Sequence, residues 1–418
     1  MKKVLRVLSL LLVVSMVFGL AACGPKDGGK EADKKPAEEK VEKQEEGKEK
    51  ADDKKEDAAK SDDKVEAGEV KIAVAAPLTG DNSEYGIGFK NAVTMMADTW
   101  NAKGGVNNSQ IKVELFDDKN SPEEGVSVAN KIASSGDIHC VIGHFASGVC
   151  MAAAPVYQEN NVIEISPSSS HPDYSSIGDF IFRNNTVIVH EAKASIDIAV
   201  NDLGKKNIGI ISIKTDWGVS TAGIVKDIIA DLGDDVSVVA HEEVIEGSDD
   251  YRPAITKLDE AGADVVICVG MYNLVAPVAR QYKEINPDIK LVGFSNSYSE
   301  ELIKLGGEAV EDVSFPVIFF SKSDDEKVKA FVSEYSEKFG SEPSALTAQA
   351  YDSAGIYFTA LEKAGPGADA KAVRDEIAKL SYDGVTGLTK FDDNGDVQKT
   401  FTKVTIKDGD FVLLKDAQ

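Results

Sequence analysis

The sequence predicts an α/β protein built from two doubly wound parallel-sheet lobes, on three observations. Short β-branched runs alternate with longer amphipathic stretches, which is the pattern of βαβ units. The alternation comes in two separate series. The chain, with 418 residues of which 42% are hydrophobic, also exceeds what a single core usually holds.

The first series has strand-like runs at 70–76, 111–116, 138–142 and 162–165, with helical segments between them. The second follows at 208–213, 236–239, 265–269 and 291–292, again separated by helices. After a further run at 313–320 the chain turns helical at 326–339, 343–364 and 370–380. It closes with an Asn394-Gly395 hairpin signal and two short strands at 401–406 and 411–414.

Ahead of this body lie two segments that cannot join its core. Lys2, Lys3 and Arg6 precede an apolar run at 7–20, shorter than the roughly 18–20 residues of a membrane-spanning helix, so residues 1–22 read as a signal peptide. The run ends in Leu20, Ala21, Ala22 and Cys23, which resembles the lipobox of bacterial lipoproteins and marks Cys23 for lipidation. Residues 23–68 then read as the lipidated cysteine and a charged, disordered tether. Between Pro25 and Ala67 there are 12 Lys and 16 acids, no aromatic residue, and Val41 and Val65 as the only β-branched ones. As a flexible coil it spans roughly 35–40 Å.

Beyond the tether, 31 Lys and Arg stand against 55 acids, a net charge of −24. Such a body lacks the basic footprint that phosphate binding needs, which disfavours nucleic-acid partners, and none is expected. Cys140, Cys150 and Cys268 are odd in number, so at least one is unpaired, and no bridge is expected between Cys140 and Cys150. His139, His144, His171, His190 and His241 form no i,i+4 pair and have no cysteine at zinc spacing, so no metal is expected. The acids of 392–396 carry Gly395 fourth in the frame, where a calcium loop needs it sixth. There is no phosphate loop and no nucleophile elbow, so no cofactor and no catalytic residues are assigned and the chain reads as a non-enzyme.

In open parallel sheets, ligands bind beyond the carboxyl ends of the strands, where helix N-termini offer free N–H groups. The loops at 78–85, 144–148, 167–171, 214–217, 271–273 and 294–297 are therefore the places to search. Their serines and aromatic residues suit reversible binding of a small polar-ended molecule. Ser147 stands where it can cap the following helix, can offer that helix's amides to a carboxylate, or both. Ser168 and Ser170 follow Pro167 at the next strand end, while Ser166, Ser169 and the His171-Pro172 turn read as structural.

On these residues the body resembles the branched-chain amino-acid binding proteins, the leucine/isoleucine/valine-type receptors of ABC importers. The matching stretches are PLTG at 77–80, YG at 85–86, NAKGGV at 101–106, VANK at 128–131, VIGH at 141–144, ISP at 165–167, WG at 217–218, GEAV at 307–310 and AYD at 350–352. No single stretch is diagnostic; their order and spacing together are.

The resemblance implies a type I periplasmic-binding-protein fold whose lobes are joined by three crossovers, near Thr186, Phe319 and Gln398. One lobe then comprises 69–186 plus 320–398 and the other 187–319 plus 399–418, closing on ligand by a hinge. It implies a monomer that binds an amino acid or related carboxylate, is lipid-anchored on the extracytoplasmic face of the cell membrane, and delivers its ligand to permease and ATPase subunits. Carried over by position, Ser147, Ser168 and Ser170 hold the ligand's carboxylate and amine, Tyr85 and Trp217 cover it, and Phe145 lies beside the side-chain pocket.

Two positions depart from the family pattern. The family's acid for the ammonium, in a Gly-x-Asp/Glu-Gly motif, is replaced by Ser295 after Phe294. Where the leucine-type receptors have a tyrosine, Met271 aligns and Tyr272 follows, so either faces the cleft. Two ligand classes stay open: an amino acid whose ammonium is held by backbone carbonyls, Tyr272 or a nearby acid such as Asp216, and a carboxylate or amide with no ammonium. A sensory receptor reporting to a separate signalling protein is the alternative to the importer.

Overall fold

Strands buried on both faces need aliphatic residues at consecutive positions, and the runs in this chain supply them. The computed structural model describes residues 68–417; the expected signal peptide, Cys23 and the tether up to residue 67 lie outside them. The first sheet contains β1 (Glu69–Ala76), β2 (Gln110–Asp117), β3 (Ile138–Gly143), β4 (Ile163–Ser166) and β5 (Ile181–Arg183). They lie in the order β2-β1-β3-β4-β5, all parallel. Ile72, Val74, Ile142 and Ile165 feed one core layer, and Ala73, Ala75, Val141 and Ile181 the other.

The second sheet repeats that order with β6 (Asn207–Ile213), β7 (Ser237–Val244), β8 (Val265–Val269), β9 (Lys290–Val292) and β10 (Ser314–Val317), arranged β7-β6-β8-β9-β10. A small antiparallel pair, β11 (Ser381–Gly384) and β12 (Gly387–Lys390), stands apart from it. Then β13 (Thr402–Lys407) and β14 (Asp410–Leu413) extend the second sheet beyond β10 in antiparallel fashion.

The 2-1-3-4-5 order reverses direction between β1 and β3 in one sheet and between β6 and β8 in the other. Such switch points open crevices at the carboxyl ends of the strands, so the fold itself places two crevices.

The Asn394-Gly395 signal closes a turn flanked by a single bridge, Phe391 to Val397, and not a pair of strands. The C-terminal hairpin turns instead at Asp408 and Gly409, whose φ angles of 53° and 72° are those a two-residue type I′ turn requires. The acidic 392–396 turn is tied to the first sheet: the Arg183 amide donates to the Gly395 carbonyl at 3.2 Å, and the buried Arg183 Nε lies 2.6 Å from Asp396 Oδ1. Cys140, Cys150 and Cys268 are all free and buried.

Candidate functional site

Two aromatic-glycine pairs anchor the helices that approach the cleft. A Cβ on Gly86 would sit 2.0 Å from the Pro77 carbonyl oxygen, and one on Gly218 would sit 2.1 Å from that of Ile213. Only glycine lets each helix start press against the strand end it follows. The preceding residues, Tyr85 and Trp217, are thereby fixed in place; Trp217 lines a cavity of about 270 Å³, near the small end of the 300–1,000 Å³ usual for ligand pockets, and Tyr85 packs behind its Phe145 wall.

That cavity is lined from the carboxyl ends of both sheets. Phe145 and Ser147 come from the loop after β3, Ser168 and Ser170 from that after β4, Trp217 after β6, Glu246 after β7, Met271 after β8, and Ser295 after β9. Ser147 is the first residue of the helix Ser147–Glu159; the cap position is Ala146, and no side chain caps it. The capping role expected for Ser147 is thus not the one it has. Its Oγ instead accepts from the Ser170 amide at 3.3 Å, which leaves its proton to donate. The amides of Ser147 and Gly148 have no carbonyl one turn back within this helix, whereas those of Val149 and Cys150 donate to the Ala146 carbonyl at 2.9 and 3.0 Å.

Ser170 Oγ accepts from the Trp217 indole N–H at 3.0 Å, so it too retains a donor. The Ser168 hydroxyl is already spent on the Phe145 carbonyl at 2.6 Å, and the Asn185 amide donates to its carbonyl at 2.8 Å. Ser166 organises the turn, its Oγ accepting from the amides of Ser168 and Ser169 at 3.3 and 2.9 Å. Behind this corner, His144 is buried with Nδ1 2.6 Å from Asp118 Oδ2 and Nε2 3.0 Å from the Tyr157 hydroxyl.

Several residues expected at the ligand are absent from the lining of this cavity. Tyr85, Tyr272 and Phe294 do not line the cavity; they support residues that do. Tyr85 stacks on Phe145 with ring centroids 4.3 Å apart and donates its hydroxyl to the Asn296 carbonyl at 2.7 Å, from one lobe to the other. Tyr272 packs on Tyr85 at 5.5 Å, and it is Met271 that lines the cavity. Phe294 is fully buried and meets Trp217 edge-on at 5.9 Å. The lobes also touch where Glu84 accepts from the Ser299 hydroxyl at 3.1 Å.

The acid missing from the strand end is present in the cavity from elsewhere. Glu191, on the helix Ile188–Asp197, is 3% exposed and accepts the Ser295 amide at 2.5 Å. Burial pushes its carboxyl up to about 7, against the opposing pull of its hydrogen bonds from Ser295. Among the described residues no cation pairs with it. Glu246 and Asp216 also line the cavity, and no Lys, Arg or His does. Glu191 and Glu246 were not anticipated from sequence: each reads as an ordinary charged position, and only the three-dimensional fold turns them inward.

Residues 69–410 match the family described as periplasmic binding protein. The chain is 28% identical over 335 residues to the leucine-, isoleucine-, valine-, threonine- and alanine-binding protein of Pseudomonas aeruginosa, covering 79% of this chain and 88% of that one. It is 30% identical over 335 residues to the Leu/Ile/Val-binding protein homolog 1 of Brucella abortus, covering 78% and 87%. Among solved structures, the leucine-binding protein LivK of Thermotoga maritima matches with a TM-score of 0.76 at 26% identity, over 82% of this chain and 97% of that one. The branched-chain amino acid transporter substrate-binding protein LivJ of Streptococcus pneumoniae, in complex with isoleucine, matches with a TM-score of 0.76 at 25% identity, over the same shares. Because the match runs from the first strand of one sheet to the last strand of the other, crossovers and cleft included, the chain belongs to the periplasmic binding protein family.

Proposed function

We propose that the protein is the extracytoplasmic receptor of an ABC importer and that its ligand is one small α-amino acid held between the lobes. The observation that carries the amino acid is Glu191, a buried carboxylate lining the cavity that pairs with no cation among the described residues. A buried charge without a partner is costly, and the ligand's ammonium supplies the partner. At the opposite pole, the hydroxyls of Ser147 and Ser170 and the first amides of the helix Ser147–Glu159 suit the α-carboxylate. Phe145, Trp217 and Met271 wall the side chain. The amino-acid names of the relatives and the isoleucine held by the pneumococcal structure support this reading.

In this reading the lobes are 69–186 plus 320–398 and 187–319 plus 399–418, hinged near Thr186, Phe319 and Gln398. Bonds that run from lobe to lobe, Tyr85 to Asn296 and Trp217 to Ser170, form on closure and shape the surface a permease reads. The receptor acts as a monomer, held to the membrane by lipid on Cys23, and binds its ligand without turning it over.

A thermal-shift panel tests the proposal. Amino acids are compared with their deaminated and N-acetylated counterparts, since a ligand that binds only the folded state raises stability by RT ln(1 + [L]/Kd). Stabilisation confined to the free amino acids is expected; stabilisation only by amine-free ligands overturns it.

A further inference from the structure

The two ends of an α-amino acid account for the serines and for Glu191, yet part of the cavity's polar lining is left over. Glu246 follows β7 on the second lobe and lines the cavity; the side chains of Asn273 and Asn82 face its carboxyl, while its Oε1 is buried and accepts no hydrogen bond of ordinary geometry. Asn120, from the loop after β2 on the first lobe, also lines the cavity and also has a buried, unbonded Oδ1. Asn82 and Asn273 lie beside Glu246, and Asn82, only 8% exposed, again leaves its Oδ1 unbonded. Buried acceptors are satisfied in nearly all folded proteins, so the two that share the cavity, Glu246 Oε1 and Asn120 Oδ1, ask for donors from a ligand.

The charge around this group has one sign. Asp81 adds to the field at Glu246, whose carboxyl burial pushes upward. Lys304, on the helix Glu300–Gly306, is engaged with Glu300 and Glu301, and no basic residue lines the cavity. The same cavity is also lined by the apolar side chains of Phe145, Val149, Trp217, Met271 and Leu346.

We propose that Glu246 and Asn120 form a second recognition pole, and that the preferred ligand is an α,ω-diamino acid: an apolar stem ending in a cationic hydrogen-bond donor. The stem packs on the aromatic and aliphatic walls while the terminal ammonium meets Glu246 from one lobe and Asn120 from the other. Such a ligand ties the two lobes together through Glu246 and Asn120 as well as through its amino-acid end. The inference rests on the amino-acid reading only for the α-ammonium.

The test is a thermodynamic square measured by calorimetry on the full-length protein. L-lysine is compared with L-norleucine, which lacks the terminal amine, and 6-aminohexanoate with hexanoate, which both lack the α-amine. The terminal amine is expected to raise affinity by about tenfold or more in each pair, the scale of a hydrogen bond between charged groups. In Glu246→Gln, which keeps shape and volume, that ratio is expected to fall to within about threefold. Norleucine binding as tightly as lysine, or a ratio unchanged in Glu246→Gln, overturns the proposal. A loss from removing the α-amine alone bears on Glu191, so the failure of one reading is distinguishable from the failure of the other.

Discussion

Glu191→Gln removes one charge and little else, and its consequences can be worked out in advance. In the free protein the carboxyl titrates at about 7 because it is buried; with an ammonium beside it, it is held ionised. Binding therefore releases a proton below pH 7. Affinity is expected to be flat above about pH 8, about tenfold weaker at pH 6 and about a hundredfold weaker at pH 5. Glu191→Gln is expected to lose about 2–3 kcal/mol of binding, roughly 30- to 150-fold, and to show no such pH dependence.

Stability moves the other way. The folded-state value, about 7, lies above the ordinary 4.5, so this group's contribution is fully present below pH 4.5 and is lost as pH rises through 7. At about 1.4 kcal/mol per pH unit the ligand-free wild type forgoes at most about 3 kcal/mol at pH 8. Ligand-free Glu191→Gln is then more stable than wild type at pH 8 and similar at pH 4.5. Calorimetric titration at pH 5.5, 7 and 8.5, in buffers of different ionisation enthalpy, reads affinity and proton release together. A second variant, Glu191→Gln with Ser295→Asp, returns the acid to the strand end and is expected to recover part of the lost affinity. Wild-type affinity that ignores pH, or a Gln variant that binds as tightly, refutes the reasoning.

Ser147→Ala removes a hydroxyl donor and the acceptor of the Ser170 amide, and is expected to weaken binding by about 1–2 kcal/mol in calorimetry. Unchanged affinity would leave the helix amides alone holding the carboxylate. Gly218→Ala forces a Cβ against the Ile213 carbonyl and is expected to cost about 1–3 kcal/mol in denaturant unfolding. Gly223→Ala, on the same helix with open space around it, is expected to be neutral or to stabilise by up to about 1 kcal/mol. Burial pushes the Cys268 thiol up to about 12 and those of Cys140 and Cys150 well above the usual value. All three are expected to resist a thiol reagent in the native protein and to react once it is denatured.

What the sequence revealed follows from how each element is stabilised. The helix Glu326–Phe339 was legible to the residue because its signals are local: Asp325 caps the Lys327 amide and Gly340 ends the helix with φ of 76°. Strands β1 and β6 were legible because burial leaves uninterrupted stretches without a polar side chain, 72–76 in β1 and 208–211 in β6. Strand β5 was missed: its three residues, Ile181 to Arg183, are too short to carry a period, and what holds them is pairing with β4. The β11–β12 pair was missed because its strands are half polar and no turn signal separates them. The serine corner was legible because a strand end and a helix start announce it.

Glu191 was not, and the reason is instructive for Ser295. Read along the chain, a serine in place of an acid looks like a lost counter-charge. In the folded protein the Ser295 amide is bonded to a carboxylate 104 positions away in sequence. A carboxylate thus stands beside this strand end although none is in it, brought there by the facing helix Ile188–Asp197. A motif scan scores identity at fixed positions, whereas a binding site requires only that the field at the ligand be right. For this cleft the ligand should therefore be inferred from the carboxylates that line the cavity, Glu191 and Glu246, and not from the motif position alone.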